Sequence, residues 1–167
     1  MQLYIVRHGS AVDRDDPKCP ADPQRYLTDE GKEKTRQVAK GVAEIAAMPD
    51  LILTSPYVRA RQTAEIFAAV LEYPKQKIRE TDLLLPGAEP LQLFRELAKE
   101  KEASTVFVFG HGPNVDGLVA ASVGSKHPIC SMKKAGVAAL ELRRVLPPSG
   151  ELLWLATPKL LRKAGGN

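Results

Sequence analysis

Three times along this chain an apolar run is followed by a stretch whose apolar residues recur at helical spacing, and that order leaves few folds open. The runs are QLYIV at 2–6, DLILTS at 50–55 and STVFVFGHG at 104–112. After the first, Thr28 offers an N-cap, Asp29 and Glu30 fill a first turn that favours negative charge, and Val38, Val42 and Ile45 follow at helical spacing. After the second, Ser55 and Pro56 supply an N-cap and a first-turn proline, with Ala60, Ala64, Phe67 and Leu71 as the buried face. PLQLFRELAKEKE at 90–102 reads as a further amphipathic helix with Phe94, Leu97 and Ala98 inward. After the third run, Pro113 opens a helix to about Gly124. Strand, helix, strand in this order implies right-handed crossovers and parallel pairing. The last third differs, because GVAALELRR and GELLWLATP are strand-like runs separated by the turn VLPPSG, which predicts a hairpin at the sheet edge. The expectation is a single three-layer α/β/α domain over 1–167, its central sheet mostly parallel, with helices on both faces and a C-terminal edge hairpin.

A chain of 167 residues with 44% hydrophobic and 26% charged residues can bury one core and is not disordered. Cys19 and Cys130 have no metal-ligand spacing, and a domain of this size needs no disulfide framework, so reduced thiols in a cytoplasm are expected. Arg7 interrupts the one candidate leader, and no run approaches the ~20 apolar residues of a membrane span. A cytoplasmic protein without a membrane partner is therefore expected. The net charge of +4 favours anionic partners. No aromatic platform or basic stripe supports nucleic acid among them, and the basic end, Lys159, Arg162 and Lys163, reads as a solvated last turn.

In an open parallel sheet, ligands bind beyond the carboxyl ends of the strands. The first run ends in Arg7 and His8, the second in TSPYVRARQTA with Arg59, and the third in Gly110, His111 and Gly112. The fold erases the sequence distance between them. Arginine forks suit phosphate oxygens, helix N-termini after Ser55 and Gly112 add N–H groups, and a neutral histidine is a competent nucleophile. The Asp- and Pro-rich segment DRDDPKCPADPQRY at 13–26 cannot hold a helix and is expected to rim this pocket, and Gly9 is expected to let backbone approach the phosphate. Arg61 falls on another face of its helix than Arg59, His127 reads as structural or exposed, and three histidines so far apart make no metal site.

LYIVRHGSA, LTDEGKEKTRQVA, LILTSPYVRARQTAEIF and VFVFGHGPNVDGLV, in that order, resemble the motif series of the histidine phosphatase superfamily, the phosphoglycerate mutase-like proteins. The short chain and the ending GELLWLATPKLLR are most similar to its SixA-type phosphohistidine phosphatases. The resemblance implies a cofactor-independent hydrolase in which His8 becomes phosphorylated, Arg7 and Arg59 clamp phosphate, and His111 stabilises the transition state. Ser10 and Arg25, on the adjoining loop, are candidates for substrate contact. Many relatives that act on phosphate esters carry a glutamate that protonates the leaving alkoxide. The corresponding stretch here, RETDLLLPGAEPLQLF, has Glu80, Asp82 and Glu89 as candidate donors without a decisive motif. Phosphohistidine has a labile P–N bond and a basic leaving nitrogen, so the missing motif favours a phosphohistidine signalling protein as substrate. A phosphatase or mutase of small phosphate esters, and a non-catalytic phosphate-binding or phosphocarrier module, are the alternatives. Gly112 departs from the pattern, since SixA-type sequences commonly carry a bulkier residue there.

Overall fold

In the computed structural model, which describes residues 1–166, the N-terminal apolar run forms β1 (Gln2–Arg7) at the centre of a six-stranded sheet. Then come α1 (Asp29–Ala43), β2 (Leu51–Thr54), α2 (Val58–Val70), β3 (Arg79–Glu80), α3 (Pro90–Leu97), β4 (Thr105–Gly110), α4 (Asn114–Ser122), β5 (Val137–Arg144), β6 (Ser149–Ala156) and α5 (Pro158–Ala164). The sheet order is β3-β2-β4-β1-β5-β6. Pairing is parallel from β3 to β1 and antiparallel through β5 and β6, so the edge hairpin joins the parallel sheet on the β1 side.

Every residue of β2 and β4 is buried, as strands covered on both faces must be. Alternate side chains feed two cores. Leu3, Ile5, Val106 and Val108 pack with Phe94, Leu97 and Leu118 of α3 and α4, whereas Tyr4, Val6, Phe107 and Phe109 pack with Val38, Val42, Phe67 and Leu161 of α1, α2 and α5. Full burial of Val38 and Val42 contributes about 1.5–3 kcal/mol each by area. Thr28 caps α1, its hydroxyl accepting from the Gly31 N–H at 3.0 Å.

Four local expectations are corrected. Ile45 lies past the end of α1 and is 52% exposed, because the helix stops at Ala43 and the turn that follows brings Ala46, not Ile45, against the core. The second helix begins at Val58, so Ser55 and Pro56 precede it and Tyr57 takes the cap position. The third stops at Leu97, since the charged stretch after Ala98 has no apolar residue to bury. The basic end is not simply a solvated turn. Residues 158–164 form α5, too short to show periodicity, which buries Leu161 against α1.

The register sets the site. Arg7 stands opposite Gly110 and Thr54 opposite Phe109, and two bonds continue the ladder past the strand ends, His8 N–H to the Gly110 carbonyl at 3.0 Å and Ser55 N–H to the Phe109 carbonyl at 2.9 Å. Three loops therefore leave the sheet side by side.

Candidate active site

His8 follows β1 and is 6% exposed. Its Nδ1 lies 2.7 Å from the Gly9 carbonyl oxygen, which only accepts, so Nδ1 carries the proton and Nε2 keeps its lone pair. Nε2 in turn accepts from the Arg59 Nε–H at 3.3 Å. Burial, reinforced by the nearby His111, Arg59 and Arg7, lowers the His8 imidazole from 6.5 to about 3 against the pull of the Gly9 carbonyl. His8 is thus neutral at neutral pH.

His111 faces it, the ring centroids 5.0 Å apart. Its Nε2 is 2.9 Å from the Ser55 hydroxyl, while its Nδ1 is buried with no protein partner. Burial, with help from Arg59 and Arg7, also brings His111 to about 3, with Asp22 opposing. The Ser55 hydroxyl also accepts from the Tyr57 N–H at 3.3 Å, so it ties His111 to the entry of α2 without itself being the cap residue, a role its neighbours Thr54 and Pro56 do not signal.

Arg7 anchors its guanidinium on the Met132 carbonyl and leaves Nε buried without a partner. Gly112 lies against this guanidinium, and a Cβ there would stand 3.3 Å from Arg7 Cζ. A bulkier residue would press on Arg7, so the departure at Gly112 leaves the arginine room. Arg59, 2% exposed, donates to the Asp22 carbonyl at 2.6 Å and to its carboxylate at 3.2 Å. Partial burial pushes the Asp22 carboxyl up, yet Arg25, Arg59 and Arg14 together bring it down from 3.8 to about 2.

These residues line a cleft of about 480 Å³ that takes in Arg7, His8, Arg59, His111 and Gly112, with Arg25, Asp13, Arg14 and Asp15 from the rim loop and Pro86 and Lys134 opposite. The segment 13–26 does border the pocket, pinned by an Ala11–Leu27 bridge and by two bonds from Arg25 to the Val12 carbonyl, at 3.1 and 2.7 Å. Its acids Asp13, Asp15 and Asp22 were legible in sequence only as loop formers. Arg25 is in the cleft, but Ser10 is not. Ser10 lines a neighbouring groove with Lys34 and Lys133.

Glu80, Asp82 and Glu89 all lie outside the cleft. Glu80 pairs with Arg61 at 3.2 Å, Asp82 begins a short 3-10 turn, and Glu89 precedes α3 in a different depression. Gly9 is also tight for another reason than the one expected. A Cβ there would sit 2.3 Å from Thr35 Oγ1, so it is α1 that comes close. Arg61 and His127 stay away from the cleft. Among the described residues no cluster of His, Cys, Asp and Glu could hold a metal ion.

Taken together, a neutral imidazole whose Nε2 lone pair meets only the Arg59 N–H, a second imidazole beside it and buried guanidinium groups can hold a phosphoryl group and attack it. A family model described as histidine phosphatase superfamily (branch 1) matches residues 3–84. An uncharacterized protein of Picosynechococcus sp. is 34% identical over 168 residues, spanning 96% of this chain and 99% of its own. The mitochondrial serine/threonine-protein phosphatase Pgam5 of Drosophila persimilis is 30% identical over 86 residues, 52% of this chain and 28% of that protein. Among solved structures, the protein histidine phosphatase SixA complexed with tungstate superposes with a TM-score of 0.85 at 26% identity, covering 96% of this chain and 99% of that one. A putative alpha-ribazole-5'-P phosphatase from Escherichia coli K-12 shares the fold, with a TM-score of 0.75 at 15% identity over 95% of this chain and 98% of that one.

Proposed function

This chain belongs to the histidine phosphatase superfamily, and from that premise we propose that it is a phosphohistidine phosphatase acting through a phosphorylated His8. Nε2 of His8 attacks phosphorus in line with the departing nitrogen. The P–N bond breaks, and the leaving imidazole nitrogen keeps the electron pair and takes a proton from solvent. A water molecule then attacks phospho-His8. The P–Nε2 bond breaks, the proton lost by the water passes to solvent, and inorganic phosphate leaves neutral His8 behind. Arg7 and Arg59 hold the equatorial oxygens, the oxygens replacing Nε2 as the acceptor at Arg59, and His111 donates to the charge that builds in the transition state.

The observation that carries the P–N reading is the wall built by residues 79–94, which contributes Pro86 to the cleft and none of Glu80, Asp82 or Glu89. An alkoxide leaving group requires a proton from a positioned acid, whereas an imidazole departs without one. Asp13 and Asp15 are carboxylates of the exposed rim. The full-length likeness to SixA supports the same reading.

The test is phosphate release from a phosphohistidine protein measured beside p-nitrophenyl phosphate and a panel of sugar phosphates and phosphoglycerates. Multiple turnovers are expected, fastest on phosphohistidine, with none by His8→Ala and losses of about 10²-fold or more for Arg59→Ala and His111→Ala. Faster turnover of a small ester would replace phosphohistidine as substrate, and a single stoichiometric transfer without release would make the protein a carrier.

A further inference from the structure

A groove of about 330 Å³ adjoins the active-site cleft, and Lys134 borders both. It is built where the start of α1, the turn 133–135 and the start of α5 meet. The turn is fixed directly to the nucleophile's segment, the Ala135 N–H donating to the carbonyls of both Arg7 and His8 at 3.0 Å. Lys34, Lys133, Lys134, Lys159 and Arg162 line the groove, and no aspartate or glutamate does. Lys34 is paired with Glu30. Among the described residues the other four make no salt bridge, and Nε of Arg162 is buried with no hydrogen-bond partner. Even with Glu30 counted against them, the five cations leave the groove strongly positive.

We propose that this groove docks an acidic surface of the protein that delivers phosphohistidine to His8. The proposal rests on the phosphohistidine reading and names the chemistry of its partner. Lys134 borders the cleft that holds His8, so a macromolecule that places a phosphoryl group there comes within reach of the groove. The cations stand on three separate segments rather than converging on one point, which suits several carboxylates spread over a surface rather than a single small anion. No aromatic side chain lines the groove to stack a base, so a nucleic acid finds charge there but no platform. Such a field raises the rate of encounter and weakens with salt.

The test uses Lys133→Glu/Lys159→Glu, two exposed side chains outside the cleft, in the full chain. Three probes are measured: binding of a fluorescent Asp/Glu-rich dodecapeptide, turnover of phosphoramidate as a small P–N substrate, and turnover of a phosphohistidine protein of acidic pI. Docking predicts that the variant loses peptide binding and that KM for the protein rises about tenfold or more, while kcat/KM for phosphoramidate stays within about twofold. Salt should raise KM for the protein in the wild type and much less in the variant. Equal peptide affinity in both forms, an unchanged KM for the protein, or tighter binding of inorganic pyrophosphate or an oligonucleotide than of the peptide overturns the proposal. Peptide capture by the groove without His8-dependent release from phosphohistidine overturns the functional reading alone.

Discussion

At the scale of single residues, the proposed chemistry turns on the state of His8. A histidine with an ordinary pKa would lose its lone pair to a proton below pH 6.5, and kcat/KM would fall tenfold per unit from there. With His8 lowered to about 3 the lone pair survives acid. The expected profile, corrected for the substrate's own phosphate titration, is flat on the acid side from pH 7 to about 5, with the fall displaced toward 3; an acid limb near 6.5 would contradict it. Ser55 offers a second prediction. Its hydroxyl holds His111 at 2.9 Å, so Ser55→Ala should lower kcat by about tenfold with little change in KM, and Ser55→Thr should restore part of it. His8, Arg7, Arg59 and His111 were all legible in the sequence, because each ends a strand or opens a helix within a dense motif. Ser55 and Asp22 were not legible as partners of the site, since their roles depend on contacts across 56 and 37 residues that local pattern does not carry.

At the scale of elements, close approach between neighbours fixes how the parts fit. Gly9→Ala places a methyl 2.3 Å from Thr35 Oγ1 and should cost about 1–3 kcal/mol in urea unfolding. Thr35→Ala removes that oxygen, so the double variant should be more stable than Gly9→Ala alone. At Gly41 a Cβ would lie 1.8 Å from the Leu161 carbonyl, a backbone atom that no rotamer relieves. Gly41→Ala should therefore displace α5 from α1 and lose acidic-peptide binding, because Lys159 and Arg162 travel with that helix. The long helices were legible because apolar spacing extends over three or more turns. The ends of α1 and α3 and the whole of α5 were not, because there tertiary contact rather than periodicity decides where the helix stops or starts.

At the scale of the whole molecule, the buried imidazoles tie stability to pH. The folded-state pKa values of His8 and His111, about 3, lie below the ordinary 6.5, so between those limits the unfolded chain takes up protons that the fold refuses. Stability falls as pH falls through that window, by about 2–3 kcal/mol for each histidine between pH 7 and 4.5. Asp22 acts in the same direction lower down, its contribution present above 3.8 and lost as pH falls through about 2. Urea unfolding at pH 7 and 4.5 should show the loss, and His8→Ala/His111→Ala should remove most of it. The parallel strands β1, β2 and β4 and the edge hairpin were legible from the order of runs alone, whereas the two-residue β3 was too short to leave a pattern, and the gathering of cations at one groove was not legible because they come from segments as far apart as Lys34 and Arg162.

Because Asp22 already sits on Arg59, the phosphate binding proposed at that arginine would be an exchange of one anion for another rather than capture by a bare cation. The guanidinium is buried and desolvated before substrate arrives, and a tethered carboxylate at high effective concentration keeps it neutralised in the meantime. An incoming anion competes with that carboxylate, and by charge a dianionic phosphoryl group competes better than monovalent chloride or acetate. The free protein thus carries its own selectivity threshold, set by the loop that also supplies Arg14 and Arg25.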